Sequence, residues 1–171
     1  MKKRYWYCFP LVVALATGLC GCGAKEQEKD MTGNTEVEYS VNEKEENETV
    51  GKQYLDAFKN SEQIEAELMV DELLNKVEVP YSLAKVEVSE GYLSGFDEEI
   101  TGFQKGVMFS PMIGTIPFVG YVFETDDADA LLSLLKEKAN PAWNVCTEAD
   151  ETVSTSRGQL VFFLMCTNEN K

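Results

Sequence analysis

The stretch VMFSPMIGTIPFVGYVF, Val107 to Phe123, decides the fold. It has no charged residue, and its length reaches the lower end of the range for a membrane-spanning helix. Two prolines, two glycines and a bias to aromatic and β-branched residues argue instead for two strands joined by an irregular turn around Gly114. These strands are expected at the centre of a sheet. A partly exposed apolar lip for a ligand or partner is the alternative to burial in the sheet.

Working outward, Ala84, Val86 and Val88 alternate with Lys85 and Glu87, which predicts a short half-exposed strand ended by Glu90-Gly91. Between the two, Phe96, Ile100 and Phe103 have helical spacing around Asp97-Glu98-Glu99, but Gly95 and Gly102 interrupt it. Residues 92–106 are a short helix or an ordered loop. Further upstream, Ile64, Leu68, Met69, Val70, Leu73, Leu74 and Val77 recur at helical spacing after Asn60-Ser61, a candidate N-cap, and Pro80 stops the pattern. Residues 51–59 add a short amphipathic turn or helix.

Downstream, Asp126 and Asp127 put acids at the positive end of a helix dipole, and Lys136 and Lys138 put bases at the negative end. Ala128, Leu131, Leu132, Leu135 and Ala139 supply its apolar stripe, and Asn140-Pro141 ends it. A hairpin closes the pattern, Trp143 to Val153 and Gln159 to Thr167, joined through Ser154-Thr155-Ser156-Arg157-Gly158. Its second strand, LVFFLMC, is apolar on both faces and so belongs in a central or covered position. The expected fold is α+β: a mostly antiparallel sheet of about five strands with two or three helices packed on one face.

The N-terminal part has a different character. Lys2, Lys3 and Arg4 precede an apolar run from Phe9 to Leu19 and the small residues before Cys22, the layout of a secretory signal. Leu19-Cys20-Gly21-Cys22 resembles the bacterial lipobox. The resemblance implies a signal peptide over 1–21, a diacylglyceryl group on Cys22, and a protein anchored on the extracytoplasmic face of the cell membrane. Two acyl chains suffice for a stable anchor where one does not. Residues 22–50 hold nine acids against three lysines and few apolar side chains, so they read as a disordered acidic tether. Residues 51–171 form the single α+β domain. Removal of the leader leaves 12 basic against 30 acidic residues, a net charge of −18, which disfavours nucleic acid and anionic surfaces as partners.

Ser110-Pro111-Met112-Ile113-Gly114, Pro141-Ala142-Trp143-Asn144-Val145-Cys146 and Leu164-Met165-Cys166 are similar to segments of a group of uncharacterised small lipoproteins of Gram-positive anaerobes. The likeness covers about residues 64–167. It implies a secreted, tethered domain and no particular activity. Cys166 departs from that pattern, which more often has Ser.

Chemistry-bearing residues are few. There is no histidine, which excludes the usual Ser-His-Asp and Cys-His arrangements and most zinc sites. No phosphate loop or dinucleotide fingerprint is present, and no cofactor is expected. Asp126, Asp127 and Asp129 lack the alternating ligands of a calcium loop, and helix capping accounts for them without a metal. Glu98 and Glu99, or Glu148, Asp150 and Glu151, are the carboxylates a glycosidase-type hydrolase would draw on. A hairpin symmetric about Ser156 would set Cys146 opposite Cys166 and permit a disulfide; a one-residue shift abolishes it, and two free thiols are the equal alternative. Two functions follow. The preferred one is a non-enzymatic binding or assembly module of the cell envelope that engages a protein, peptide or small apolar ligand. The other is a small carboxylate-dependent envelope hydrolase.

Overall fold

Five strands in the order β1-β4-β5-β7-β6 make one antiparallel-paired sheet, in a computed structural model that describes residues 48–168. The lipobox, Cys22 and the tether up to residue 47 lie outside the described residues. The chain starts with α1 (Val50–Lys59) and α2 (Ala66–Lys76), followed by β1 (Leu83–Val88). Next come a small ladder of β2 (Gly91–Tyr92) with β3 (Glu99–Ile100), then β4 (Lys105–Pro111) and β5 (Val119–Glu124). The last elements are α3 (Ala128–Lys138), β6 (Glu151–Arg157) and β7 (Leu160–Cys166). The α+β class and the five-stranded antiparallel sheet are those the sequence leads one to expect. Among the described residues no helix is long and apolar enough to cross a membrane.

The helices are divided between the two faces of the sheet, which corrects the expectation that they share one. Leu160, Phe162, Leu164 and Cys166 of β7 join Val107, Phe109 and Val122 in a core with Tyr54 and Phe58 of α1 and Met69, Val70 and Leu73 of α2. The alternate residues Val161, Phe163 and Met165 join Tyr121 and Phe123 under Leu131 and Leu135 of α3. A strand with apolar side chains on both faces needs a layer on each side. The second cover is completed by Phe96, Ile100 and Phe103, whose helical spacing is realised in the loop around β2 and β3 and not in a helix. Gly95 and Gly102 take φ of +91° and +90°, which breaks any helix there.

The helix starts show what sequence spacing misses. Residues 50–59 form a full helix, so the ordered domain begins before residue 51. Thr49 caps it, its Oγ1 accepting from Lys52 N at 3.2 Å and donating to Glu151 Oε1 at 2.9 Å, while Gly51 N donates to Glu151 Oε2 at 3.2 Å. Ser61 is not the cap of α2. Its Oγ accepts from Gln63 N and donates to Glu72, and the helix begins five residues later, where Ala66 N donates to Glu124 Oε1 at 2.6 Å. Ile64 and Leu68, counted into the apolar stripe, are exposed. Both helices therefore rest their positive ends on a carboxylate from the sheet.

The final hairpin also departs from expectation. Arg157 pairs with Leu160 and Glu151 with Cys166, so the loop is only Gly158-Gln159, with Gly158 at φ +60°. Ser154, Thr155 and Ser156 lie in the ladder. Residues 143–150 precede the strand. There Asn140 Oδ1 accepts from Ala142 N and Asn144 Oδ1 accepts from Cys146 N, local turns that compete with strand pairing. The register symmetric about Ser156 is thus not the one adopted, and Cys146 and Cys166 are free thiols, the first exposed and the second buried.

Candidate binding cleft

One end of the sheet is built from three connections: residues 77–82 ahead of β1, residues 112–118 between β4 and β5, and residues 139–150 between α3 and β6. The last two are tied together. Asn144 Nδ2 donates to Gly114 O at 3.1 Å and Thr147 Oγ1 donates to Thr115 O at 3.4 Å. Between them and the first connection lies a cleft of about 470 Å³. Pro80, Tyr81, Ile116 and Pro117 give it apolar wall, Thr115, Thr147 and Thr167 give it hydroxyls, and Glu148 and Asp150 give it carboxylates. Among the described residues no lysine or arginine lines it. Ile116 also borders a smaller recess of about 170 Å³ floored by Met108, Phe118 and Val119 and closed by Trp143 and Asn144.

Most of residues 107–123 are buried in the sheet, as expected, and the turn at this end is exposed. Met112 is 76% exposed and Ile113 67%, and beside the Asn144–Gly114 bond Val145 is fully exposed. Phe109, Phe118 and Val119 are buried, so only the turn of the stretch reaches solvent.

The carboxylates singled out from sequence go to separate tasks. Glu98 pairs with Lys138 at 2.8 Å, across from α3. Glu151 caps α1. Asp150 Oδ2 accepts from Thr167 Oγ1 at 2.8 Å and from Asn168 N at 3.2 Å, fastening the end of the last strand while its side chain borders the cleft. Glu148 faces the cleft with no hydrogen-bond or ion-pair partner among the described residues. Both cleft carboxylates are exposed to solvent. The aspartates near α3 are likewise engaged: Asp127 accepts from Ala130 N as the helix cap, and Asp126 accepts from Gln104 and Gln159. Among the described residues no three or more carboxylates and thiols gather as metal ligands.

Tyr81 in the cleft wall and the buried Tyr54 and Cys166 form a group of weak acids. Tyr54, beside Phe109 and Phe118, has a hydroxyl with no hydrogen-bond partner among the described residues, and burial raises its pKa above the ordinary tyrosine range. Burial pushes Tyr81 up to about 12. Cys166 is also pushed up to about 12, first by burial and then by the negative charge of Glu151 opposite it in the ladder. A thiol held protonated is a poor nucleophile. Alkylation with iodoacetamide at pH 8, mapped by peptide mass, should label Cys146 in the native protein and Cys166 only after unfolding; equal labelling would contradict this burial. The linkage has a definite sign. Because the folded pKa exceeds the unfolded value near 9, the protonated thiol's contribution is complete below pH 9 and is lost as pH rises towards 12. Tyr54, Tyr81 and Tyr121 add losses of the same sign above pH 10, so thermal midpoints should fall steadily on the alkaline side.

A comparison with protein-family models finds no match, and comparisons with curated proteins and with solved structures find none either.

Proposed function

We propose that this protein is a binding module of the cell envelope, held on the extracytoplasmic face of the membrane by lipid on Cys22, and that its cleft takes a cationic ligand with an apolar portion, such as a lysine- or arginine-bearing peptide. The observation that carries this reading is the lining of the 470 Å³ cleft, aromatic and aliphatic on one side and carboxylate on the other, with no basic residue among the described residues. A pocket of that size with a few polar groups on an apolar wall is the usual form of a small-ligand site. The net charge of −18 left once the leader is removed adds a long-range field that draws cations.

Calorimetric titration of the full chain with Lys-Phe amide and Glu-Phe amide tests it. The cationic peptide should bind and the acidic one should not. Glu148→Lys should weaken the cationic peptide about tenfold, the equivalent of about 1.4 kcal/mol. Equal binding of both peptides, or indifference to Glu148→Lys, removes the reading. Separately, metabolic labelling with a radioactive fatty acid should mark the wild-type chain and not Cys22→Ala; an unlabelled wild-type chain would remove the anchor from the proposal.

A further inference from the structure

The outer edge of the sheet carries a pattern that the cleft does not use. β1 is hydrogen-bonded to β4 on one side and, among the described residues, has no strand on the other. Met112 N donates to Ser82 O at 3.3 Å, which fixes the phase of that ladder. Hydrogen-bonded pairs alternate along antiparallel strands. Ala84, Val86 and Val88 therefore turn their backbone groups to β4, while Leu83, Lys85 and Glu87 turn theirs outward. Lys85, Val86 and Glu87 are three consecutive exposed residues in the middle of the strand, with Val86 53% exposed. Lys85 already meets Asp71 at 2.6 Å and Glu67 at 3.4 Å, whereas Glu87 has no ion-pair partner among the described residues. The opposite edge strand, β6, is half-buried along nearly its whole length, without a run of exposed residues like that of β1.

We propose that β1 pairs antiparallel with β1 of a second copy about a two-fold axis at Val86, joining two five-stranded sheets into one of ten strands. Bonding and charge together select this register. The outward donors and acceptors belong to odd-numbered residues, so an antiparallel partner has to set odd against odd; a register centred between two residues sets odd against even and leaves the bonds unmet. Centring on Lys85 places lysine against lysine, and centring on Glu87 places glutamate against glutamate, both unfavourable directly across a pair. Centring on Ala84 leaves Lys85 against Leu83. Only the axis at Val86 sets each Lys85 against Glu87 of the other copy, twice by symmetry, and brings the two exposed valines together on the opposite face. A charged edge ordinarily discourages pairing with an arbitrary strand. Here the charge at 85 finds its complement two residues away on an identical strand, so the edge rejects most sequences and accepts its own. The interface is isologous and closed.

Sedimentation velocity on the full chain in a non-ionic detergent tests the register. The wild-type chain should self-associate with concentration. Lys85→Glu sets glutamate against glutamate at both pairs and Glu87→Lys sets lysine against lysine, so each variant alone should associate at least about tenfold more weakly. Mixed in equal amounts they should associate again, because every pair across the interface is then Glu against Lys. Monomeric wild-type chain at its highest soluble concentration overturns the proposal, as does a mixture no better associated than its folded components. Should either charge variant fail to fold by circular dichroism, Val86→Cys in a Cys146→Ser background decides: it should give a disulfide-linked dimer well above an Ile64→Cys control, and parity with that control overturns the pairing.

Discussion

Replacing Gly120 by alanine is expected to cost about 3 kcal/mol of stability, at the top of the usual range for overpacking a core, because a single methyl has nowhere to go. Gly120 lies in β5, the middle strand of the sheet, paired with Phe109 on one side and Leu164 on the other. A Cβ there would stand 2.1 Å from the ring carbon Cζ of Phe109 and 2.5 Å from both Cε atoms, so the ring lies flat over the glycine. Phe109 cannot swing away, since it is fully buried with Tyr54 at 5.6 Å and Phe118 at 5.9 Å between ring centroids. The thermal midpoint should fall by roughly 10 °C, given about 2–8 °C per kcal/mol for domains of this size. Gly114→Ala, in a turn with open space around it and no positive φ, is the matched control and should be silent. Phe109→Leu introduced with Gly120→Ala should recover part of the loss, which identifies the ring as the obstacle. A change below about 0.5 kcal/mol in Gly120→Ala would mean that β5 packs otherwise.

That glycine illustrates how much of the molecule was legible in its sequence. The charge-free stretch 107–123 does give two adjacent strands, with β5 in the centre, because prolines, glycines and branched residues together leave few other choices. The helix over 128–138 was legible for a local reason: its cap Asp127, its terminal lysines and its stripe all lie within one short segment. What was hidden depends on distant partners. Glu124 caps a helix 58 residues earlier and Glu151 caps one 100 residues earlier, and no local spacing announces either. The start of α2 was misplaced for that reason, since Ser61 has the chemistry of a cap while the actual cap comes from another strand. Hairpin register failed similarly: Ser-Thr-Ser-Arg-Gly has turn composition throughout, and only Gly158 adopts a turn conformation. As for the cleft, Glu148 and Asp150 could be named from sequence as candidate carboxylates, but Pro80 and Tyr81 could not. They reach the site through the path of the chain between α2 and β1, which spacing does not encode.

The division of the helices between two faces leads to the other large effect, and it separates this architecture from a two-layer one. Phe162 and Phe163 are neighbours in β7 and both are fully buried, yet they point into different cores. Phe162 stacks on Phe58 of α1 with centroids 5.2 Å apart, and Arg157 covers the far partner with its guanidinium 5.6 Å from the Phe58 ring. Phe163 meets Phe96 at 5.0 Å on the side of α3. Truncating a buried phenylalanine costs about 3–5 kcal/mol, so Phe162→Ala and Phe163→Ala should each lose that amount in urea titrations. If the helices shared one face, one of the two rings would face water and its removal would cost less than about 0.5 kcal/mol. Because the rings share no core, the two losses should add, and a combined loss of about 6–10 kcal/mol approaches the whole stability of a domain this size. Each single variant should therefore fold with reduced stability and the double variant should fail to fold. A cheap substitution at either position would return the fold to two layers and leave the loop carrying Phe96, Ile100 and Phe103 with nothing to cover.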